Sequence, residues 1–205
     1  MADHHKRFER AWYPRLKPVT RYLVDQVRAR IVPEFEARGF AWYADYGGGD
    51  PKEVGANTIP LQRREGKEWP TVEINFAPRG LPYFHVGFAA LPPTCKRLGR
   101  EPVPRERAVA VYAPAYFSLC KGRYRSYDGR FGYHYFSLRP TRRLRAEVDE
   151  AISLLPVIFE LFEQGIPEDW LTHEFGYVAK HVMLGGSWHI FEERLRRRAE
   201  AAATA

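Results

Sequence analysis

Three polar side chains on predicted strands, Gln62, Asn75 and His85, could line a small-ligand pocket. Each of them alternates with apolar residues along its strand, so all three would point away from the hydrophobic face. Two amides and an imidazole supply both hydrogen-bond donors and acceptors, which suits a polar ligand or an acid–base reaction. Glu73 lies one pleat away. The simpler interpretation is a hydrogen-bonded surface that the C-terminal region of the chain covers.

The stretch RYRSYDGRFGYHYF, residues 123–136, predicts a β-hairpin with one basic face. Its Asp128-Gly129 pair suits a two-residue turn with positive φ. Alternation along the two strands places the basic side chains on one face and most aromatic side chains on the other. The basic face comprises Arg123, Arg125, Tyr127, Arg130 and His134. These side chains could bind successive phosphates or carboxylates of a partner, or they could serve solubility and edge protection.

Charge is distributed unevenly along the chain. The formal net charge is +7, whereas residues 94–145 alone carry +10 and residues 146–188 carry −7. A segment this basic attracts anionic partners, and an acidic protein surface and nucleic acid are the two classes considered. The alternative is internal neutralisation, because elements adjacent in sequence often pack together. The sequence leaves both interpretations open.

Other catalytic and metal-binding patterns are incomplete. The stretch GGGDPK at residues 47–52 lacks a Lys-Ser or Lys-Thr pair, so a phosphate-binding loop is not expected. His173-Glu174 begins like a zinc-protease motif, but Tyr177 stands where the second histidine ligand belongs. Cys95 and Cys120 are two thiols in a chain long enough to fold without a disulfide, so we expect both to be reduced. No catalytic residue, metal ligand or cofactor is assigned from these patterns.

Two long helices are predicted to position these groups. Apolar residues recur every four positions over residues 18–38, which predicts a helix that ends at Gly39. Pro33 lies inside this pattern and predicts a kink or a break near Arg30. A second helix is predicted over residues 141–164, with one apolar side and one acidic side.

The remaining patterns predict strands. Residues 40–46 and 57–65 are candidate strands, and residues 69–78 and 83–91 alternate clearly enough to predict an antiparallel hairpin with one wet and one buried face. Residues 92–107 are rich in Pro and charge, which is typical of a long surface connection. The order of elements predicts an α+β fold, an antiparallel β-sheet meander with helices packed on one face.

Domain organisation and location follow from composition. We expect a charged N-terminal lead-in over residues 1–15, a single α+β domain over 16–190 and a basic C-terminal helix and tail over 191–205. No apolar run approaches the roughly 18 residues that span a bilayer, and the polar start does not resemble a signal peptide. The chain is therefore expected in the cytoplasm, without a membrane partner.

Three segments carry a family resemblance: FEARGF at the end of the first helix, IPLQRREGKEWPTVEINFAP with its Gln62, and FEQGIPEDWL at the end of the second helix. Their order resembles the bacterial domain of unknown function 4304 family over residues 18–175, with residues 92–140 departing from the family pattern as an insertion. The resemblance implies an α+β fold and a bacterial source. It implies no catalytic residue and no reaction.

The combined features predict a non-enzymatic binding module of accessory or immunity type. It would engage an anionic macromolecular partner through the basic segment of residues 94–145. One alternative is an enzyme or small-ligand-binding protein with a polar pocket around Gln62, Asn75 and His85. A further alternative is a nucleic-acid-binding protein, whose affinity would depend steeply on salt.

Overall fold

A computed structural model describes most of the chain. The described residues are 4–49, 55–78, 80–97, 100–113, 116–119, 130–132, 139–164, 178–184 and 187–191. They form an antiparallel sheet with helices packed on one face, which confirms the predicted α+β class. No helix in the described part of the chain is long and apolar enough to cross a membrane.

Four α-helices are described. They are α1 (His4–Arg7), α2 (Pro18–Arg30), α3 (Val32–Glu36) and α4 (Pro140–Gln164). The predicted break lies at Ile31, between α2 and α3, because Pro33 cannot donate a helical hydrogen bond. Gly39 has φ of 81°, the left-handed conformation that ends many helices and that glycine adopts without strain.

Ten strands are described. They are β1 (Ala41–Trp42), β2 (Thr58–Gln62), β3 (Trp69–Phe76), β4 (Tyr83–Leu91), β5 (Thr94–Arg97), β6 (Arg100–Pro104), β7 (Tyr116–Leu119), β8 (Arg130–Gly132), β9 (Val178–Leu184) and β10 (Ser187–Phe191). The main sheet has the order β1-β2-β3-β4-β7-β9-β10, with β8 also paired to β4, and β5 and β6 form a separate pair. The β3–β4 hairpin has the predicted antiparallel pairing, from Trp69 opposite Leu91 to Phe76 opposite Phe84.

The main core lies between the sheet and the helices. Leu23 of α2, Phe35 of α3 and Leu144 of α4 are fully buried against Ile74 and Phe84 of the hairpin. The apolar stripes of the helices pack against one face of the sheet, so both apolar surfaces are removed from water. This burial is the main source of stability in such a layered fold.

One predicted strand was too long, and one predicted surface connection contains strands. The predicted strand of residues 40–46 contains only the two residues of β1, because the chain leaves the sheet after Trp42 and buries Tyr43 and Tyr46 beside Val109. The predicted surface connection of residues 92–107 contains β5 and β6. The fully buried Cys95 of β5 belongs to a small second core, which it shares with Ala89 and Leu91 of β4 and with residues 108–113.

The second face of the β3–β4 hairpin is covered over part of its length, so the prediction of a wet face was wrong for that part. Thr71 is fully buried and Glu73 is 3% exposed. Tyr43 and Tyr46 cover this face together with residues 105–113, which we call the strap. A strand pattern shows which side chains share a face, but it does not show what packs on that face.

The N-terminal segment contacts the core where the structure describes it. Phe8 is fully buried, although the sequence predicts a charged lead-in over residues 1–15. His4 is also fully buried, its Nε2 lies 2.8 Å from Thr58 O, and its ring meets that of Tyr46 edge to face. Residues 192–205 lie outside the described residues, so the predicted domain boundaries stay predictions.

Candidate functional site

Strand register decides which of the predicted pocket residues meet. Asn75 of β3 lies directly opposite His85 of β4, and His85 lies opposite Arg130 of β8. These three residues therefore form one row across the sheet, with neighbouring Cβ atoms about 5 Å apart. Gln62 instead lies opposite Thr71, four residues from Asn75 along β3 and about 13 Å away.

Gln62 has a structural role in the described geometry. Its side chain is 2% exposed, and its Nε2 donates to Thr71 Oγ1 and to Arg105 O, each at 3.3 Å. The guanidinium of Arg64 donates to its Oε1 at 3.4 Å. Gln62 thereby holds the first residue of the strap against the sheet and stands apart from Asn75 and His85.

Glu73 lies at the centre of the covered face. Its Oε1 accepts a hydrogen bond of 2.6 Å from the backbone N–H of Ala110 in the strap. The side chains of Tyr46 and Asn75 also hydrogen-bond to this carboxyl group. Burial raises the pKa of Glu73, and the three hydrogen bonds oppose that rise because they favour the charged form.

Tyr116 joins this centre to His85. The phenol oxygen of Tyr116 lies 3.0 Å from His85 Nε2, and it occupies the space above Gly87, where a Cβ atom would come within 1.8 Å of it. Gly87 is opposite Glu73 in the register, so the phenol lies beside the buried carboxyl group. Burial and the nearby Glu73 charge together raise the pKa of Tyr116, which keeps the phenol protonated.

A third side chain fixes the strap. The hydroxyl of Tyr43 donates to Ala108 O at 3.0 Å, and burial raises the pKa of Tyr43 well above its ordinary value. Together with Gln62 and Glu73, it satisfies three backbone groups of the strap with side chains that face it from the sheet and from the segment after β1. In the covered half of this face, side chains thus hold the strap backbone in place through hydrogen bonds.

The other half of the same face is more open. Asn75, Tyr83, His85 and Tyr116 are half-buried there, and Arg130 is exposed. The guanidinium carbon of Arg130 lies 5.2 Å from the centroid of the Tyr83 ring, within cation–π range. We call these five residues the donor patch, because their polar atoms are mainly N–H and O–H donors.

The basic hairpin face is described at one of its predicted residues. Arg130 is exposed, whereas its neighbour Phe131 is fully buried and stacks on Phe84 with ring centroids 5.3 Å apart. The alternation predicted for this strand is therefore seen at these two positions. The other predicted residues, Arg123, Arg125, Tyr127 and His134, lie outside the described residues.

The N-terminal part of α4 extends the basic surface. Arg139, Arg142, Arg143 and Arg145 are all exposed, at or just before the beginning of the helix. Two acidic side chains of the following turns make contacts with other elements. Asp149 accepts a hydrogen bond of 2.5 Å from Arg30 of α2, and Glu147 Oε2 accepts one of 3.0 Å from the backbone N–H of Gly132 in β8.

Metal and thiol chemistry find little support in the described residues. Among them, no group of three or more His, Cys, Asp or Glu side chains is placed to hold a metal ion. Cys95 is a buried free thiol whose pKa is raised by burial to about 11, so it stays protonated and unreactive near neutral pH. Cys120 lies outside the described residues.

Comparison with known proteins gives no family. No protein-family model, no curated protein and no solved structure matches the chain. The resemblance to the domain of unknown function 4304 family therefore stays a prediction.

Sequence reasoning placed Glu73 near a candidate pocket but missed its central position and both of its tyrosine neighbours. One signal was present. A glycine inside a well-patterned strand often marks a close approach by another group, and Gly87 interrupts β4 where the phenol of Tyr116 lies. Tyr46 carries no such signal, because it reaches the face from a helical turn outside the sheet.

Proposed function

We propose that this protein is a non-enzymatic binding module that engages the acidic surface of a partner protein through its basic segment, residues 94–145. An accessory or immunity-type role suits such a module. The observation that carries the proposal is the exposed run of arginines at the beginning of α4. It comprises Arg139, Arg142, Arg143 and Arg145.

Their position strengthens the attraction for an anion. The N-terminus of a helix carries the positive end of the helix dipole, and the first turn of α4 contains no acidic residue to offset it. Arginines at this end are unfavourable for the helix itself. A surface arranged against its own helix stability is better explained by binding than by folding.

An acidic protein fits this surface better than a nucleic acid. Asp149 and Glu150 are exposed on the same helix, about one turn beyond Arg145. A continuous phosphate backbone laid along α4 would meet these carboxylates, whereas a protein partner can place acidic and basic groups to match both signs. Complementary charges of this kind set specificity and association rate.

The test is a variant in which the four α4 arginines are replaced by glutamine. Fluorescence anisotropy would measure its binding to a labelled poly-glutamate peptide and to a single-stranded oligonucleotide. We expect the variant to bind the peptide at least about tenfold more weakly than the wild-type protein does. This corresponds to a loss of about 1.4 kcal/mol in binding free energy. The oligonucleotide tests the nucleic-acid alternative.

A control of equal net charge separates a specific surface from overall charge. Glutamine would replace four other exposed basic residues far earlier in the chain, namely Lys6, Arg10, Arg15 and Lys17. The control should retain wild-type affinity within about twofold. Equal losses in both variants would contradict the proposal, and so would tighter wild-type binding to the oligonucleotide than to the peptide.

A further inference from the structure

We propose that the strap is a movable cover, which opens while the sheet beneath it stays folded and which a proton on Glu73 helps to keep closed. The strap, residues 105–113, lies over the covered half of the sheet face. Opening would bring the Glu73 carboxyl group into contact with water beside the donor patch. The movement lies within the chain itself and requires no acidic partner.

Most backbone hydrogen bonds of the strap are local. Ala108 N–H donates to Arg105 O at 3.3 Å, and Ala113 N–H donates to Ala110 O at 3.0 Å. In the described part of the chain, no backbone hydrogen bond joins the strap to β3 or β4. Turns that are closed by their own local bonds can keep their shape when the segment lifts, so opening does not require the sheet to unfold.

Side chains attach the strap to its surroundings. The three attachments are Gln62 Nε2 to Arg105 O, the Tyr43 hydroxyl to Ala108 O, and Ala110 N–H to Glu73 Oε1. A single hydrogen bond of this kind contributes little net stability, because water replaces the lost partner when the segment opens. Separate bonds of this type are easier to break than a strand ladder.

The beginning of the strap is held more firmly than its middle. Arg105 N–H donates to Pro93 O at 3.2 Å, and its guanidinium donates to Lys67 O at 2.7 Å and lies 3.8 Å from the centroid of the Trp69 ring. We therefore expect Arg105 to stay in place while residues 108–113 lift away from the sheet.

The middle of the strap also buries little apolar surface. Ala108 and Ala110 are fully buried and Ala113 is nearly so, but each presents only one methyl group. Val109 adds one larger side chain against the segment after β1. Because hydrophobic stabilisation scales with buried apolar area, such a segment opens at a lower free energy than the core beside it.

Glu73 makes the closed state sensitive to pH. Ala110 N–H, Tyr46 and Asn75 hydrogen-bond to its carboxyl group, and burial raises its pKa above the ordinary value of 4.5. When the strap opens, water returns to this group and its pKa falls towards that value. The proton therefore stabilises the closed state fully below pH 4.5, and this contribution is lost as the pH rises through the raised pKa.

Three tyrosines face Glu73 from the elements packed around it. Tyr43 and Tyr46 come from the segment after β1, and Tyr116 comes from β7. Burial raises the pKa of all three, so they stay protonated across the acidic and neutral range.

Three further titratable or charged groups lie next to these tyrosines. Cys95 of β5, with a pKa of about 11, and the permanently charged Arg64 lie near Tyr43. His85 of β4 contacts Tyr116 and belongs to the residue type that titrates near neutral pH. Its contribution has to be separated from that of Glu73 by a variant.

Cys95 reports on the position of the strap. Its side chain is fully buried in the second core, together with Ala108, Ala110 and Ala113 of the strap. A thiol reagent therefore reaches Cys95 either when the strap opens or when the whole protein unfolds. The dependence of labelling on urea distinguishes these two routes, because only global unfolding exposes the full buried surface.

The experiment labels the full-length protein with a dipyridyl disulfide. Mass spectrometry of tryptic peptides separates Cys95 from Cys120, and the labelling rate divided by that of the unfolded protein at the same pH gives the open fraction. We expect an open fraction at least about tenfold above the globally unfolded fraction, with little dependence on low urea concentrations. Labelling that matches global unfolding in rate and urea dependence would overturn the proposal.

Two variants test whether the strap opens separately from the core. Tyr43→Phe removes the hydroxyl that holds Ala108 O and should raise the open fraction about three- to tenfold, as expected for one lost hydrogen bond. Val27→Ala of α2 destabilises the main core away from the strap and should leave the open fraction within about twofold. Equal increases in both variants, or no increase in Tyr43→Phe, would contradict separate opening.

The role of the Glu73 proton is tested by pH. The open fraction of the wild-type protein should rise from about pH 5 to about pH 8. The same rise should persist in His85→Gln and disappear in Glu73→Gln, whose side chain does not titrate. A pH-independent open fraction in the wild type, or an unchanged rise in Glu73→Gln, would show that Glu73 does not control the strap. None of these measurements uses a partner, so their outcome is independent of the α4 surface.

Discussion

Replacing Gly87 by alanine should destabilise the protein, although the same change often stabilises others. The new Cβ would lie 1.8 Å from the Tyr116 phenol oxygen and 2.4 Å from the ring carbon that carries it. Both contacts are far below van der Waals distance, so the ring has to leave its place over β4. The change tests whether that packing holds Tyr116 against His85.

The expected magnitude follows from three terms. Overpacking at a filled site costs about 1–3 kcal/mol, and loss of the Tyr116–His85 hydrogen bond costs about 0.5–1.5 kcal/mol. Lower entropy of the unfolded chain opposes them by about 0.4–1 kcal/mol. The steric term wins, which leaves a net loss of about 1–3 kcal/mol and a fall in Tm of roughly 3–10 °C for a chain of this size.

Urea unfolding followed by circular dichroism would measure the loss, with an unchanged m value as the control for two-state behaviour. The partner measurement repeats Gly87→Ala in a Tyr116→Ala background, where the clash is absent. There the cost should nearly vanish, since contacting residues are not additive. A cost below about 0.5 kcal/mol in the wild-type background, or an equal cost in both, would refute the described packing.

Two other predictions concern the sheet. The pKa of Glu73 is raised in the folded state, so the folded protein holds this proton more tightly than the unfolded chain does. The free energy of unfolding therefore falls as the pH rises above 4.5, the ordinary pKa of this carboxyl group. The stability of Glu73→Gln relative to the wild type, measured by urea unfolding, should therefore increase from acidic to neutral pH. A stability difference that does not change with pH would contradict this prediction. Phe131→Ala removes the ring stacked on Phe84 and should cost about 3–5 kcal/mol, whereas a loss below about 1 kcal/mol would show that β8 is not docked.

Much of the fold could be predicted because its signals are local. The apolar spacing of α2 and α4 and the alternation of β3 and β4 each occur within one element, and Pro33 gives the break after α2 without any tertiary information. The short β1 and the β5–β6 pair were missed for the opposite reason. They depend on which residues bury Tyr43 and Cys95, and those residues come from distant parts of the chain.

The site was harder to predict than the fold. Alternation correctly put Asn75 and His85 on one face, but only the register of the hairpin makes them direct partners. Glu73 lies on the same face, and alternation alone predicts that it is exposed to solvent. It is buried because the strap covers it, and the sequence pattern does not show this. Tyr116 comes from a strand that joins β4 after a long connection, so no local pattern could place its hydroxyl beside His85.

The central claim is that the arginines of α4 form a surface for an acidic partner. The most direct test compares poly-glutamate affinity between the α4 variant and the variant of equal net charge at the N-terminus, in one buffer and at one salt concentration. A difference of about tenfold, with the α4 variant weaker, is the predicted result. Indistinguishable affinities would show that net charge alone attracts the peptide and would contradict the claim.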